Sequence, residues 1–193
     1  MLRRFIAVTL LSILSSLPTP AAQRPWPQDN AETDALVLKA VLRSQCLTEN
    51  GYVLLSSMAI SPRQQDDLGS ADESGAVDDL KQRNSPAARL PAGIACKGVH
   101  VLDDRKIRQL FEQGPSSTGK ASLDDAWKQF YASFPGATGW MELSLPGYGT
   151  GGDIATVYMS LHCGSLCGQG SYVYLHRVDG QWKVLVRFPI WTS

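Results

Sequence analysis

"SYVYLHRVDGQWKVLVRF", residues 171–188, decides the fold. Two runs rich in β-branched and aromatic residues flank Asp179-Gly180. That dipeptide suits a two-residue hairpin turn, whose central positions both need positive φ. A turn there sets Arg177 opposite Trp182, Leu175 opposite Val184 and Val173 opposite Val186. The apolar partners then share one face, and a slip of one residue would turn them all to the other. Turn chemistry and hydrophobic pattern agree on one register, so an antiparallel hairpin is expected.

The period of two continues upstream. "IATVYMSLHC" (154–163) sends Ala155, Val157, Met159, Leu161 and Cys163 one way and Thr156, Tyr158, Ser160 and His162 the other. "WMELSL" (140–145) alternates too, with Met141, Leu143 and Leu145 together. The glycine-rich stretches "PGYGTGGD" (146–153) and "HCGSLCGQG" (162–170) read as turns between strands. Together these segments form a C-terminal antiparallel meander.

Helical spacing precedes it. Leu38, Val41, Leu42 and Gln45 recur at three- and four-residue steps, predicting a helix over 31–46 capped by Asn30. Ser74 opens a short helix with Ala76, Val77 and Leu80 inward. Asp103 caps another, with Ile107, Leu110 and Phe111 on one face and Gly114 as its stop. Ser122 caps the last, where Trp127, Phe130, Tyr131 and Phe134 make an aromatic stripe read as core-facing rather than as a ligand wall. "YVLLSSMAI" (52–60) and "CKGVHVL" (96–102) are apolar strand candidates, with Pro86 and Pro91 breaking regular structure between them. The expected class is α+β: a C-terminal antiparallel β-meander with helices packed on one sheet face, a cone-like curl being one form it can take.

At the N-terminus Arg3 and Arg4 precede the apolar run 5–14, and small residues lead to Ala21-Ala22. This is the layout of a secretory signal peptide over 1–22. The run falls short of a membrane span, which needs about 20 residues. Residues 23–30 form a Pro-containing flexible lead-in, and 31–193 a single domain. The chain carries 18 basic and 18 acidic residues, and loss of Arg3 and Arg4 tips the balance slightly negative. Such a domain has no electrostatic pull toward nucleic acid, and none toward a membrane once the signal is removed. The expected location is extracytoplasmic, either secreted or periplasmic.

Four cysteines in an exported chain argue for disulfides. Three pairings are possible, and Cys163–Cys167 with Cys46–Cys96 is the favoured one. A metal site is disfavoured because His162 and Cys163, as strand neighbours, point apart and no second Cys/His pair completes a tetrahedral set. The C-x3-C spacing and the lack of a βαβ context speak against a redox pair. "GYGTGG" (147–152) matches a dinucleotide fingerprint letter for letter, but an alternating strand follows it where a helix is needed. The acidic run between Asp66 and Asp79 lacks the ligand alternation of a calcium loop and reads as solvated. No cofactor and no catalytic residue is assigned.

Of the three histidines, His100, His162 and His176, the last two fall on strands beside tyrosines. Tyr158, His162, Tyr172, Tyr174 and His176 therefore make the candidate ligand or partner face.

The C-terminal half resembles a family of secreted or membrane-tethered proteins of unknown function. The resemblance is carried by Trp127-x-x-Phe130-Tyr131, Pro135-Gly136, Ser144, Ala155-x-x-Tyr158, Gly168, Gly170 and Tyr172. Asp179-Gly180-x-Trp182 and the closing Trp191-x-Ser193 complete it. It spans roughly residues 98–193 by ordered motif matching, and the helix around 107–111 fits as well. It implies an extracytoplasmic location and this fold, and no chemistry. The helix-then-meander order is also similar to nuclear-transport-factor-like cones. The functional expectation is a non-catalytic binding or interaction module for an unknown protein or small ligand. The alternatives are a small extracytoplasmic hydrolase using His162 or His176 as base, or a ligand-binding cone with its pocket under the Trp127 helix.

Overall fold

The first helix, α1 (Ala31–Cys46), buries Val37, Leu38, Val41 and Leu42 along one stripe, the spacing read from sequence. The computed structural model describes residues 31–62, 72–86, 88–112 and 122–193. The expected signal peptide, lead-in, Asn30 cap and Gly114 stop lie outside them.

After α1 come β1 (Tyr52–Ser56), α2 (Ala76–Arg83), β2 (Val99–Leu102), α3 (Asp104–Glu112), α4 (Leu123–Ser133) and β3 (Ala137–Leu143). The chain closes with β4 (Gly147–Tyr148), β5 (Ile154–Gly164), β6 (Cys167–Val178) and β7 (Gln181–Thr192). They form one open sheet in the order β2-β1-β3-β5-β6-β7, with the short β4 paired to β5. β1 runs parallel to both β2 and β3, and every later pairing is antiparallel. The α+β class and the C-terminal meander are thus as read from sequence. Parallel neighbours need crossover connections, and α2 and the α3–α4 pair lie in them.

Two refinements concern the sheet's faces. The helices, expected on one face, divide between both. α1 packs on Val53, Leu55, Met141, Leu143, Val157 and Leu175. On the opposite face Trp127 and Phe130 of α4 pack with Leu54 and Ala137, and Val77 and Leu80 of α2 with Tyr158 and Tyr172. The reason is local: β1 is apolar at successive positions, so both of its faces need cover. Among the described residues the sheet is also open, ending at β2 and β7 rather than curling into a cone.

The β6–β7 hairpin turns at Asp179 and Gly180, with φ of 52° and 78°. Arg177 faces Trp182 and Leu175 faces Val184 as expected, but then Tyr174 faces Val186 and Val173 faces Arg187. Leu185 is an extra residue, a bulge, and it corrects the expected Val173–Val186 pair. The bulge turns Val186 and Phe188 toward the α2 side. It brings Arg187 onto the α1 side, where its guanidinium donates to the Val41 carbonyl at 2.8 Å. Partial desolvation of the guanidinium there lowers the pKa of Arg187.

Both favoured disulfides are present. Cys46–Cys96 joins the end of α1 to the approach to β2, and Cys163–Cys167 closes the β5–β6 hairpin. That hairpin leans on α4: Tyr131 Oη donates to the Cys163 carbonyl at 2.8 Å, and Ser165 Oγ to Asp124. The glycines of the same stretch serve Trp191. A Cβ at Gly170 would lie 2.0 Å from Trp191 Nε1, so the indole can cover this strand only over glycine.

Candidate functional site

Asp34 sits in the first turn of α1 and is 4% exposed, a carboxylate on the edge of an apolar stripe. Burying it requires a partner. Arg83, in the last turn of α2, supplies one: its Nη2 and Nη1 donate to Asp34 Oδ2 at 2.9 Å and Oδ1 at 3.1 Å. Tyr148 Oη donates to Asp34 Oδ1 at 2.7 Å. Arg83 also donates to the Pro146 carbonyl, and its guanidinium lies 5.3 Å over the Tyr148 ring. Burial works against the charged form of Arg83, but the hydrogen bond and charge of Asp34 hold its pKa above the ordinary value. Burial, reinforced by the Asp34 charge, pushes the Tyr148 phenol far up.

The residue that caps the end of α2 completes the anchor. Asn84 is buried; its Nδ2 donates to the Leu80 and Leu145 carbonyls at 2.7 and 3.1 Å, and its Oδ1 accepts from Leu145 N at 2.7 Å. Asp79 accepts from Tyr148 N at 2.8 Å. β4 can come this close only because Gly147 has no side chain: a Cβ there would meet the Ala76 carbonyl at 2.0 Å. The stretch that mimics a dinucleotide fingerprint is thus a glycine turn laid against α2.

These contacts frame a cleft of about 880 Å³ at the end of the sheet that carries the β6–β7 turn. Thr33 and Asp34 of α1 and Asp79, Gln82 and Arg83 of α2 line it, with Arg89 and Pro91 from the following loop. Tyr148, Gly149, Thr150 and Gly152 of the glycine turn, and Arg177 and Trp182 across the hairpin, complete the wall. The Tyr148 and Trp182 rings lie 6.0 Å apart at 51°.

The five residues of the tyrosine–histidine face do not share one open surface. Tyr158 and Tyr172 are 3% and 0% exposed under α2, and Tyr158 Oη accepts from Trp191 Nε1 at 2.9 Å. Tyr174 is half-buried beside them, and burial raises its pKa. His176 faces Asp153, Nε2 to Oδ2 3.2 Å, in the open. His162 stacks on Trp140 at 4.3 Å, with Ser160 Oγ at 3.2 Å and Glu142 Oε2 at 3.5 Å from Nε2.

That last trio has the residue types of a hydrolytic triad without its wiring. In a triad the two ring nitrogens face different partners, the carboxylate and the nucleophile. Here one nitrogen faces both, Ser160 donates its proton to Glu142 at 3.0 Å, and Ser160 is 2% exposed. The space under the Trp127 helix, where a cone would hold its ligand, is occupied by Trp127, Phe130, Phe111 and Leu54. Among the described residues no group of three or more His, Cys, Asp and Glu is placed to hold a metal ion.

Sequence reasoning passed over Asp34, Arg83, Tyr148, Arg177 and Trp182 as a set. One signal was available: Asp34 lies one turn before Leu38 on the buried stripe of α1. Comparison of the chain with family models, with curated proteins and with solved structures finds no match.

Proposed function

We propose that this protein is an extracytoplasmic, non-catalytic binding module that takes a small ligand in the cleft between α1, α2 and the β6–β7 hairpin. The single observation behind this reading is the cleft itself. It is a concave site that sets Tyr148, Trp182, Pro91 and Leu145 beside polar and charged side chains able to orient a ligand, and its back wall is anchored by the Asp34–Arg83–Tyr148 cluster. A site on an anchored wall loses little entropy when it binds. The extracytoplasmic part rests on the signal-like N-terminus and on two disulfides. No helix among the described residues is long and apolar enough to cross a membrane.

A fragment screen by NMR on the oxidised protein tests the site. Hits should perturb the indole signal of Trp182 and the amides of 148–152. Hits that gather elsewhere, for instance at His162, overturn the assignment. Location is tested by exporting the full chain from a bacterial host and alkylating without reductant. Free thiols in the exported product contradict it.

A further inference from the structure

We infer that the ligand is a small organic anion: a carboxylate or phosphate group carried on a flat, apolar body. This rests on the cleft being the binding site, and adds its chemistry. The charges decide the class. Arg83 lines the cleft but is neutralised by Asp34. Arg89, from the loop after α2, and Arg177, at the end of β6, line it as well, and neither side chain makes an ion pair or hydrogen bond among the described residues. Against these two guanidinium groups the described lining sets one further carboxylate, Asp79, which is engaged with Tyr148 N. The described lining therefore carries a net positive charge, with two planar five-donor forks available. Such forks match the planar oxygens of a carboxylate or the edge of a phosphate, and lysine would not supply that geometry.

The body of the ligand follows from the rest of the wall. Trp182 is 9% exposed and Tyr148 is half-buried, and both aromatic side chains line the cleft. Pro91 and Leu145 add apolar surface beside them. A planar apolar group gains by resting on such rings while its charge reaches the arginines. An inorganic ion would leave those walls unused, and a neutral aromatic would leave the arginines unused.

The test uses calorimetry on the oxidised, signal-free chain with four probes. They are phenyl phosphate, benzoate, benzyl alcohol as the neutral analogue and inorganic phosphate. The two aryl anions should bind, and more weakly as salt rises. R89Q and R177Q should each weaken them by about tenfold and leave the thermal midpoint in place, both residues being exposed. W182L should weaken all aryl probes alike. Tighter binding of phenyl phosphate than benzoate points to a phosphate ester, and the reverse order to a carboxylic acid. Either order supports the anion class. If benzyl alcohol binds as well as benzoate and both are lost in W182L, the cleft stands and the anion class falls. If inorganic phosphate binds as well as phenyl phosphate, the aryl body falls. Anions that bind but ignore R89Q, R177Q and W182L alike overturn both the class and the cleft. No binding of either aryl anion at millimolar concentration overturns the class, and the fragment screen then decides the cleft independently.

Discussion

Asp34 and Arg83, 49 residues apart in sequence, meet through two hydrogen bonds of 3.1 and 2.9 Å, with their side chains 6% and 11% exposed. One lies on the helix covering the first face of the sheet and the other on a helix covering the second. The pair therefore bridges the two layers around the end of the sheet. Removing one member leaves the other's charge buried. Asp34→Ala is expected to cost about 3 kcal/mol of unfolding free energy. In urea titration it should lower the midpoint far more than Arg105→Ala, which removes an exposed ion pair with Asp103. Asp34→Leu combined with Arg83→Met should recover part of the loss, because no unpaired charge remains. Equal midpoints for Asp34→Ala and Arg105→Ala would show that the buried pair carries no more stability than an exposed one.

The two disulfides differ in the chain they close. Residues 46 and 96 are separated by 50 positions, residues 163 and 167 by 4. On the chain-entropy model the longer loop contributes about 4 kcal/mol and the short one about 2. Cys46→Ala/Cys96→Ala should therefore lower the thermal midpoint about twice as far as Cys163→Ala/Cys167→Ala. The reverse order would mean that the short bridge acts chiefly by holding its hairpin to Tyr131 and Ser165.

Alkaline pH should destabilise the protein through its tyrosines. Burial raises the pKa of Tyr148, Tyr131 and Tyr174 above the ordinary phenol value near 10. A group whose folded pKa is raised holds its proton in the folded state after the unfolded chain has released it. Its contribution is complete below pH 10 and is lost as pH rises above it. Spectrophotometric titration should show these phenols ionising late, with part of the signal coincident with loss of structure. Phe at Tyr148 should reduce the steepness of the stability decline. An unchanged slope in Tyr148→Phe would show that this phenol is not protected.

Gly147→Ala should be among the most damaging single-methyl additions in the domain. Its Cβ would lie 2.0 Å from the Ala76 carbonyl and 2.3 Å from Leu80 N, both backbone atoms of α2. We expect a loss of about 3 kcal/mol, the upper end for overpacking. Gly151→Ala, where the nearest atom belongs to the movable Asp153 side chain, is the control and should be mild. Circular dichroism melts of the two variants check the contrast. Similar midpoints would mean that β4 can lift from α2.

Much of this architecture is legible in the chain. Asp179-Gly180 forces a tight turn, and alternation from Ile154 onward turns Val157 and Met159 away from Tyr158 and Ser160. Helical spacing places α1, α3 and α4 with their apolar stripes. An even cysteine count behind a signal-like leader argues for disulfides, and of the three possible pairings the favoured one is found. These are local properties: a turn, a period, a cap or a count is settled by residues near one another.

What the tertiary structure alone decides is how distant local solutions combine. The bulge at Leu185 reverses the facing of Val186, Arg187 and Phe188, and no nearby turn residue announces it. The tyrosines of β5 and β6 look like an exposed face by alternation, yet α2 packs Val77 and Leu80 over Tyr158 and Tyr172. The cleft draws Asp34, Arg83, Tyr148, Arg177 and Trp182 from across the chain, and its charge depends on which arginine Asp34 consumes. A sequence shows that Asp34 is a carboxylate on an apolar stripe and so must be paired if buried. Only the packing of α1 and α2 about the end of the sheet determines that Arg83 pairs with it, leaving Arg89 and Arg177 without an ion pair among the described residues.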